Sequence, residues 1–162
     1  MTHQYHTVAS AQLRTEDVDL RVGRPVRRGF YTDLLPALGI DFGTKFVGIA
    51  LAAAPLAQPL TIAANNDYLL SYICTLIDDY QIKTVVIGMS ENKTAQLTKD
   101  FKRRLAATVS AKIEYSDETM STQIAKAKLR AAGRRLKPDE RVDHYAAAEL
   151  LQEWLDSHEQ FA

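Results

Sequence analysis

Three acidic residues stand near the ends of predicted elements, where their carboxylates could share one site. Asp41 follows a short apolar run, Glu118 follows an alternating run, and Asp143 falls in the first turns of the last predicted helix. Ligands of α/β proteins collect outside the carboxyl ends of the strands. If the strands before Asp41 and Glu118 run parallel, these two carboxylates meet at one edge of the sheet. The last helix can then bring Asp143 to the same edge.

Carboxylates gathered in this way favour a divalent-metal site. Clustered negative charges repel each other unless a cation neutralises them, and hard oxygen ligands suit Mg²⁺ or Mn²⁺ better than zinc. Two such ions can activate a water and stabilise the leaving oxygen of a phosphodiester. Each acid taken alone is adequately explained as a turn or helix cap. The three together favour metal-dependent phosphodiester cleavage.

A predicted hairpin over residues 38–51 positions the first acid. Apolar runs at 38–40 and 46–51 flank the polar turn Gly43-Thr44-Lys45, a pattern typical of two antiparallel strands. Because Gly43 has no side chain, a phosphate or a metal ion can approach its backbone closely.

The remaining elements follow from periodicity and from helix-end signals. Strands are predicted at 60–62, 84–88 and 112–116, and helices at about 69–80, 97–109, 121–132 and 138–157. Asn66 or Asp67 could cap the first helix, Gly133 suits the end of the third, and Pro138 suits the first turn of the last. The order predicts an α/β fold with a five-stranded mixed sheet, in which three antiparallel strands precede alternating helices and parallel strands.

Apolar residues recur at helical spacing in the first, second and last of these helices, whereas the segment before the hairpin shows no such pattern. The second helix is expected to bury Leu97, Phe101, Leu105 and Val109, and the last helix Val142, Tyr145, Ala146, Leu150, Trp154 and Leu155. Residues 1–36 lack periodicity, so we expect a loosely ordered N-terminal extension before a domain at 37–158.

Composition predicts one ordinary soluble domain. Of 162 residues, 46% are hydrophobic and 25% charged, and no apolar run reaches the roughly 18 residues that span a bilayer. The N-terminus has no signal-peptide pattern. Cys74 is the single cysteine, which excludes an internal disulfide and a multi-cysteine zinc site. We expect a cytoplasmic protein that does not bind membranes, with Cys74 as a small core residue.

A net charge of zero conceals a basic segment at 126–141 that could face a polyanion. Contacts of this kind hold the nucleic-acid backbone without reading sequence. A solvated helix face is the alternative for the same residues. We assign backbone contacts to Thr44, Lys45, Thr122, Lys126, Arg130, Arg134, Arg135 and Lys137.

Three motifs, in order, resemble those of one family. They read Ile40-Asp41-Phe42-Gly43-Thr44-Lys45, Asp117-Glu118-Thr119-Met120-Ser121-Thr122 and Asp143-His144-Tyr145-Ala146-Ala147. Each motif alone is weak, but the ordered set resembles the YqgF family of Holliday-junction-resolvase-like pre-16S rRNA nucleases over about residues 38–156.

The resemblance implies an RNase H-like fold and a metal-dependent endonuclease. Asp41, Glu118 and Asp143 would be both its catalytic and its metal-binding acids, holding two ions of Mg²⁺ or Mn²⁺. The implied activity is 5′-end processing of pre-16S rRNA in ribosome biogenesis, and some relatives cut four-way DNA junctions instead. The implied partners are pre-rRNA or branched DNA and a ribosomal precursor particle, with the protein acting as a monomer or homodimer.

The chain departs from the family pattern at four positions beside these motifs. Phe42 replaces a usual proline, Phe46 a usual basic residue, Thr119 a usual arginine and Ala53 a common aspartate. Loss of two cations near the acids predicts weaker contacts with phosphate groups.

Two other classes of protein remain open on the residues alone. An actin-like sugar kinase or related ATPase also opens with Asp-x-Gly-Thr and a later glycine, but its fold needs a second domain for which 162 residues leave no room. A non-catalytic nucleic-acid-binding module on the same fold is the other alternative. Metal-dependent cleavage separates an enzyme from such a module, and ATP binding identifies a kinase.

Overall fold

The computed structural model describes residues 33–89, 95–117, 121–137 and 139–160. Glu118, Thr119 and Pro138 lie outside this part of the chain, as does the predicted extension up to residue 32.

One five-stranded mixed sheet forms the centre of the described fold. Its strands in chain order are β1 (Ala37–Phe42), β2 (Phe46–Ala52), β3 (Gln58–Ala64), β4 (Thr84–Met89) and β5 (Lys112–Asp117). The spatial order is β3-β2-β1-β4-β5. The first three strands are antiparallel to one another, and β4 and β5 continue the sheet parallel to β1. The predicted sheet, with the Asp41 strand at its centre, is confirmed.

Four helices flank the sheet in the described residues: α1 (Leu69–Asp79), α2 (Ala95–Ala106), α3 (Ser121–Ala131) and α4 (Asp143–Gln160). Gly133, just after α3, has φ +79°, the left-handed conformation expected of a glycine after a helix. Neither predicted side-chain cap of α1 is observed, because Tyr68 occupies the N-cap position. The side chain of Asn66 instead accepts a hydrogen bond from the Tyr68 backbone N–H at 3.0 Å.

The last helix begins at Asp143, so its predicted start at Pro138 is wrong. Glu140 accepts hydrogen bonds from the side chain of Arg134 and the backbone N–H of Lys137, which holds the preceding segment as a loop. The Val142 carbonyl then accepts the first helical hydrogen bonds, from Tyr145 and Ala146. A later start leaves Asp143 at the very end of the helix, where its position is fixed by the first turn.

Alternation along β1 separates the two faces of the sheet. Leu38, Ile40 and Phe42 belong to a core formed with α1 and α2, while Ala37 belongs to a second core formed with α4. Side chains alternate between faces along a strand. Asp41 therefore lies on the α4 face, at the end of the central strand.

Small residues allow α4 to lie very close to this face. A Cβ added to Gly39 would lie 2.8 Å from the Cβ of Leu151 and 2.9 Å from the carbonyl oxygen of Ala147. Ala37, Ala50 and Ala52 are fully buried in the same core. The backbone of α4 consequently packs directly against the sheet, in addition to the packing of its larger side chains.

Two predicted core positions are wrong. Leu97 is 50% exposed, whereas the neighbouring Thr98 is buried, because the inward side of α2 passes through Thr98, Phe101 and Leu105. Tyr145 is only partly buried, since its hydroxyl accepts a hydrogen bond from Arg134 near the surface. Cys74 is half-buried and packs against the first core, as its predicted role requires.

No helix in the described ranges is both long and apolar enough to cross a membrane.

Glu114 on β5 gives the fold a pH-dependent contribution to stability. Burial raises its pKa, but the nearby Lys112, the indole N–H of Trp154 at 2.8 Å and His158 at 3.6 Å outweigh this and hold the pKa below its usual value. A lowered pKa means that the stabilisation is present above the usual glutamate range and is lost as the pH falls through the folded-state pKa. We expect Glu114→Gln to lower the melting temperature at neutral pH, with the difference from wild type vanishing in strong acid. A difference in melting temperature between wild type and Glu114→Gln that stays constant as the pH is lowered would refute this assignment.

Candidate active site

The structure brings Asp41 and Asp143 to one end of the sheet. Asp41 pairs across the strands with Gly48 of β2, and a Cβ added to Gly48 would lie 2.0 Å from the backbone oxygen of Asp143. Directly opposed residues in a sheet project to the same face. The first residue of α4 therefore rests on the cross-strand neighbour of Asp41. Asp41 is 8% exposed, and the side chain of Asp143 is 29% exposed.

The start of α4 provides a favourable electrostatic setting for negative charge. The unpaired N–H groups of a first helical turn carry about half a positive elementary charge. Asp143 lies in that turn, and Asp41 lies on the sheet face beneath it. Both carboxylates, or a phosphate close to them, are stabilised by this end of the helix.

Glu118 is outside the described residues, but β5, the strand that leads to it, is described. Glu118 directly follows Asp117, the last residue of β5. In the sheet register Ile40 of β1 lies beside Ile87 of β4, and Ile87 lies beside Tyr115 of β5. These three parallel strands consequently end at the same edge, which is the edge that carries Asp41.

The turn after Asp41 is held in place by Asn65. The backbone N–H of Gly43 donates to the carbonyl of Phe46 at 3.1 Å and closes the hairpin. The Asn65 side-chain amide donates a hydrogen bond to the Gly43 carbonyl at 2.7 Å. The Asn65 backbone N–H donates a second one to the Lys45 carbonyl at 2.9 Å. Thr44 and Lys45 are left exposed at the tip. Sequence reasoning missed Asn65, whose only signal was a polar residue directly after the third strand.

Arg141 ends the predicted basic segment but is not among the residues assigned to backbone contacts from the sequence. Its guanidinium lies 3.3 Å from the centre of the Phe46 ring, and its Nη1 lies 3.4 Å from Oδ2 of Asp143. The contact joins the start of β2 to the start of α4. Nothing in the spacing of the sequence indicates that these two residues meet.

His144 follows Asp143 and is partly buried beside it. Burial lowers the pKa of its imidazole, and this outweighs the opposing effect of Asp143. The ring packs against Tyr145 with centroids 4.3 Å apart. Its buried Nδ1 has no hydrogen-bond partner among the described residues.

Among the basic residues of 126–141 assigned to backbone contacts, Arg134 has side-chain partners and the others are exposed. Arg134 is engaged with Glu140 and Tyr145, close to the start of α4. The others lie on and after α3, namely Lys126, Arg130, Arg135 and Lys137. Thr122 lies in the first turn of α3, and its side chain is outside the description. Lys128 forms an ion pair with Glu149 that ties α3 to α4.

The donor set at this edge suits a hard divalent cation. Within the described ranges no group of three or more His, Cys, Asp or Glu side chains is placed to hold a metal ion. Asp41 and Asp143 supply two carboxylates, and the strand that leads to Glu118 ends beside them. Carboxylate oxygens are the ligands that Mg²⁺ and Mn²⁺ prefer. The available chemistry fits such an ion.

Comparison with known proteins identifies the family. The family model described as RuvX, Holliday junction resolvase, matches residues 36–157. The chain belongs to the RuvX family. This confirms the resemblance to the YqgF family, which is the same family under another name.

This chain aligns with nearly the full length of several relatives. A Geobacillus kaustophilus protein is 35% identical over 133 residues, covering 74% of this chain and 96% of its own. A Bacillus subtilis protein is 33% identical with the same coverage, and an Anaeromyxobacter protein is 34% identical, covering 74% of this chain and 95% of its own. All three bear the provisional name pre-16S rRNA nuclease.

Solved structures share the fold at low sequence identity. Thermus thermophilus RuvC superposes with a TM-score of 0.54 at 11% identity, covering 76% of this chain and 95% of its own. The fowlpox virus resolvase in complex with Holliday junction DNA superposes with a TM-score of 0.50 at 13% identity, covering 76% and 98%. The RNase H-like fold is confirmed by these likenesses. Membership of the RuvX family confirms the prediction of a phosphodiester-cleaving nuclease.

Proposed function

We propose that this protein is a divalent-metal-dependent endonuclease that processes the 5′ end of pre-16S rRNA, acting on the ribosomal precursor particle. The observation that carries the proposal is the contact of Gly48 with Asp143, which joins the start of α4 to the cross-strand neighbour of Asp41. Two acids from opposite ends of the domain thereby share one edge. The names of the RuvX relatives support RNA as the substrate.

In this proposal Asp41, Glu118 and Asp143 hold two ions of Mg²⁺ or Mn²⁺. Alternation along β5 puts Glu114 on the α4 face, where it meets Trp154, and we expect Glu118 to follow the same alternation. When bound, the ions supply activation of a water and stabilisation of the leaving oxygen. Asp41 is buried, so its carboxylate is screened from water and interacts strongly with nearby charge.

The hairpin turn and the basic segment orient the nucleic acid in this scheme. Thr44 and Lys45 stand at the tip of a turn that Asn65 fixes to β3. Thr122, Lys126, Arg130, Arg134, Arg135 and Lys137 hold the phosphate backbone. We further propose that 37–158 is the catalytic domain and that residues 1–36 have no separate role. The described end of that extension is packed, with Leu35 buried against the α4 core.

A second substrate, branched DNA, is favoured by the description of the family as Holliday junction resolvases. One experiment distinguishes the possibilities. End-labelled pre-16S rRNA and a four-way DNA junction are each incubated with the full-length protein, with and without Mg²⁺ or Mn²⁺. We expect metal-dependent cleavage of the RNA near its 5′ end. Cleavage of the junction alone would establish the resolvase, and binding without cleavage of either would establish a non-catalytic module.

Charge reversal at Arg134 and Arg135 tests the basic segment. We expect the double substitution by glutamate to weaken binding of both nucleic acids and to reduce the steepness with which affinity falls as salt rises, since fewer counterions are released. Arg134 also contacts Glu140 and Tyr145, so its reversal alone should lower the melting temperature as well. Arg135→Glu should affect binding only. The matched control is Lys99→Glu on the exposed side of α2. Affinity equal to that of this control would identify the basic segment as a solvated face.

A further inference from the structure

The guanidinium of Arg141 is positioned by contacts from two separate parts of the fold. The Phe46 ring, at the start of β2, lies 3.3 Å below it, and the Asp143 carboxylate, at the start of α4, lies 3.4 Å from Nη1. Its side chain is nevertheless 45% exposed. The group is therefore fixed in place at the candidate active site while much of it still faces solvent.

Among the described residues, these contacts use only a small part of the hydrogen-bonding capacity of Arg141. A guanidinium has five N–H donors in its plane. Stacking on Phe46 occupies a flat face, which contains no donors, and the Asp143 contact involves one nitrogen. Planar donors on a fixed guanidinium match the geometry of a phosphate.

The charges around Arg141 favour an anionic ligand. Asp41 and Asp143 make this edge of the sheet negative, so a phosphate group reaches it only if cations are present. Lys45 lies at the exposed turn of the same hairpin as Phe46. In the described part of the chain, the guanidinium of Arg141 forms an ion pair with the Asp143 carboxylate.

We propose that Arg141 binds a backbone phosphate of the nucleic acid beside the candidate active site, with Phe46 as the platform that orients it. The inference deepens the proposed function and rests on it for the identity of the ligand. A purely structural role, in which Arg141 only neutralises Asp143, makes a different prediction: substitution then changes the melting temperature but not the salt dependence of binding.

Binding measured without divalent metal tests the proposal apart from cleavage. The probes are fluorescently labelled pre-16S rRNA 5′ segment and a labelled four-way DNA junction, titrated with full-length protein at several salt concentrations. We expect Arg141→Gln to weaken affinity about 10- to 100-fold at low salt, as for a lost charge-assisted hydrogen bond. The magnitude of the negative slope of log affinity against log salt should decrease by about 0.7 to 0.9, as for one lost phosphate contact.

Three further variants sharpen the result. Arg141→Lys keeps the charge but not the planar fork and should lose affinity without a change of slope. Phe46→Leu removes the platform and should also weaken binding, by less than Arg141→Gln. The matched control is Arg103→Gln, which removes an arginine paired with Asp100 at 3.6 Å on α2, across the sheet.

The outcomes separate this inference from the proposed function. If Arg141→Gln and Arg103→Gln bind both probes alike and with equal salt slopes, the phosphate contact is refuted. If wild type binds neither probe, it is refuted as well. If the slope changes as expected but no metal supports cleavage, the contact stands and the proposed nuclease activity on these substrates fails.

Discussion

Replacing Asp41 by asparagine is expected to lower the rate of metal-dependent cleavage at least about 100-fold, since even outer-shell partners of a metal contribute 10- to 100-fold. Asparagine has the same size as aspartate, so the approach of α4 to this end of β1 is preserved. The loss of one charge from an acidic edge also reduces repulsion. We therefore expect Asp41→Asn to fold, as a cooperative thermal-unfolding transition in the absence of metal would show.

Thermal unfolding with added metal provides a readout that does not depend on turnover. A ligand that binds only the folded state raises its stability by mass action. Mg²⁺ or Mn²⁺ should raise the melting temperature of wild type, and this rise should be smaller for Asp41→Asn and Asp143→Asn. The matched control is Asp79→Asn, at an exposed position at the end of α1. Full activity of Asp143→Asn with an unchanged metal requirement would remove the start of α4 from the site.

Gly48→Ala is expected to have the largest effect on stability. The new Cβ would lie 2.0 Å from the backbone oxygen of Asp143 and 2.8 Å from the backbone nitrogen of His144, so the start of α4 must move away from β2. Overpacking typically costs about 1–3 kcal/mol, and a backbone obstacle puts this site at the upper end. For a chain of this size we expect the melting temperature to fall by about 5–10 °C.

The same displacement should reduce cleavage, because it separates Asp143 from Asp41. Gly133→Ala is the control: its φ of +79° strains an alanine, but apart from its neighbours in the chain no described residue has an atom within 4 Å of the added Cβ. That variant should lose stability by about 1–2 kcal/mol and retain its activity. Wild-type stability and activity in Gly48→Ala would show that the close approach of α4 to β2 is not required.

The position of Arg141 changes the interpretation of Phe46, one of the positions where this chain departs from the family pattern. The residue at 46 is a phenylalanine where a basic side chain is usual, and the structure places a guanidinium over that phenylalanine. Positive charge is thus present above position 46, although it comes from the loop before α4. At position 46, a cation from another part of the chain therefore lies where the usual basic side chain is missing.

The sequence by itself determined the strands, their order and the identity of the candidate acids. Strand periods are local, so the run 84–88 and the alternation 112–116 could be assigned without knowing their neighbours. A glycine at 133 likewise ended its helix at the predicted place. These features depend on residues a few positions apart, which is the range over which backbone preference and alternation act.

Tertiary structure alone decided where the last helix begins and which distant side chains meet. Pro138 is a good local signal for a helix start, but Glu140 binds Arg134 and the Lys137 N–H, and the helix begins only at Asp143. The contacts of Asn65 with the hairpin turn and of Arg141 with Phe46 join segments that no periodicity relates. The approach of Asp143 to Gly48 is of the same kind, because it depends on the space that a missing Cβ leaves between a strand and a helix packed across it.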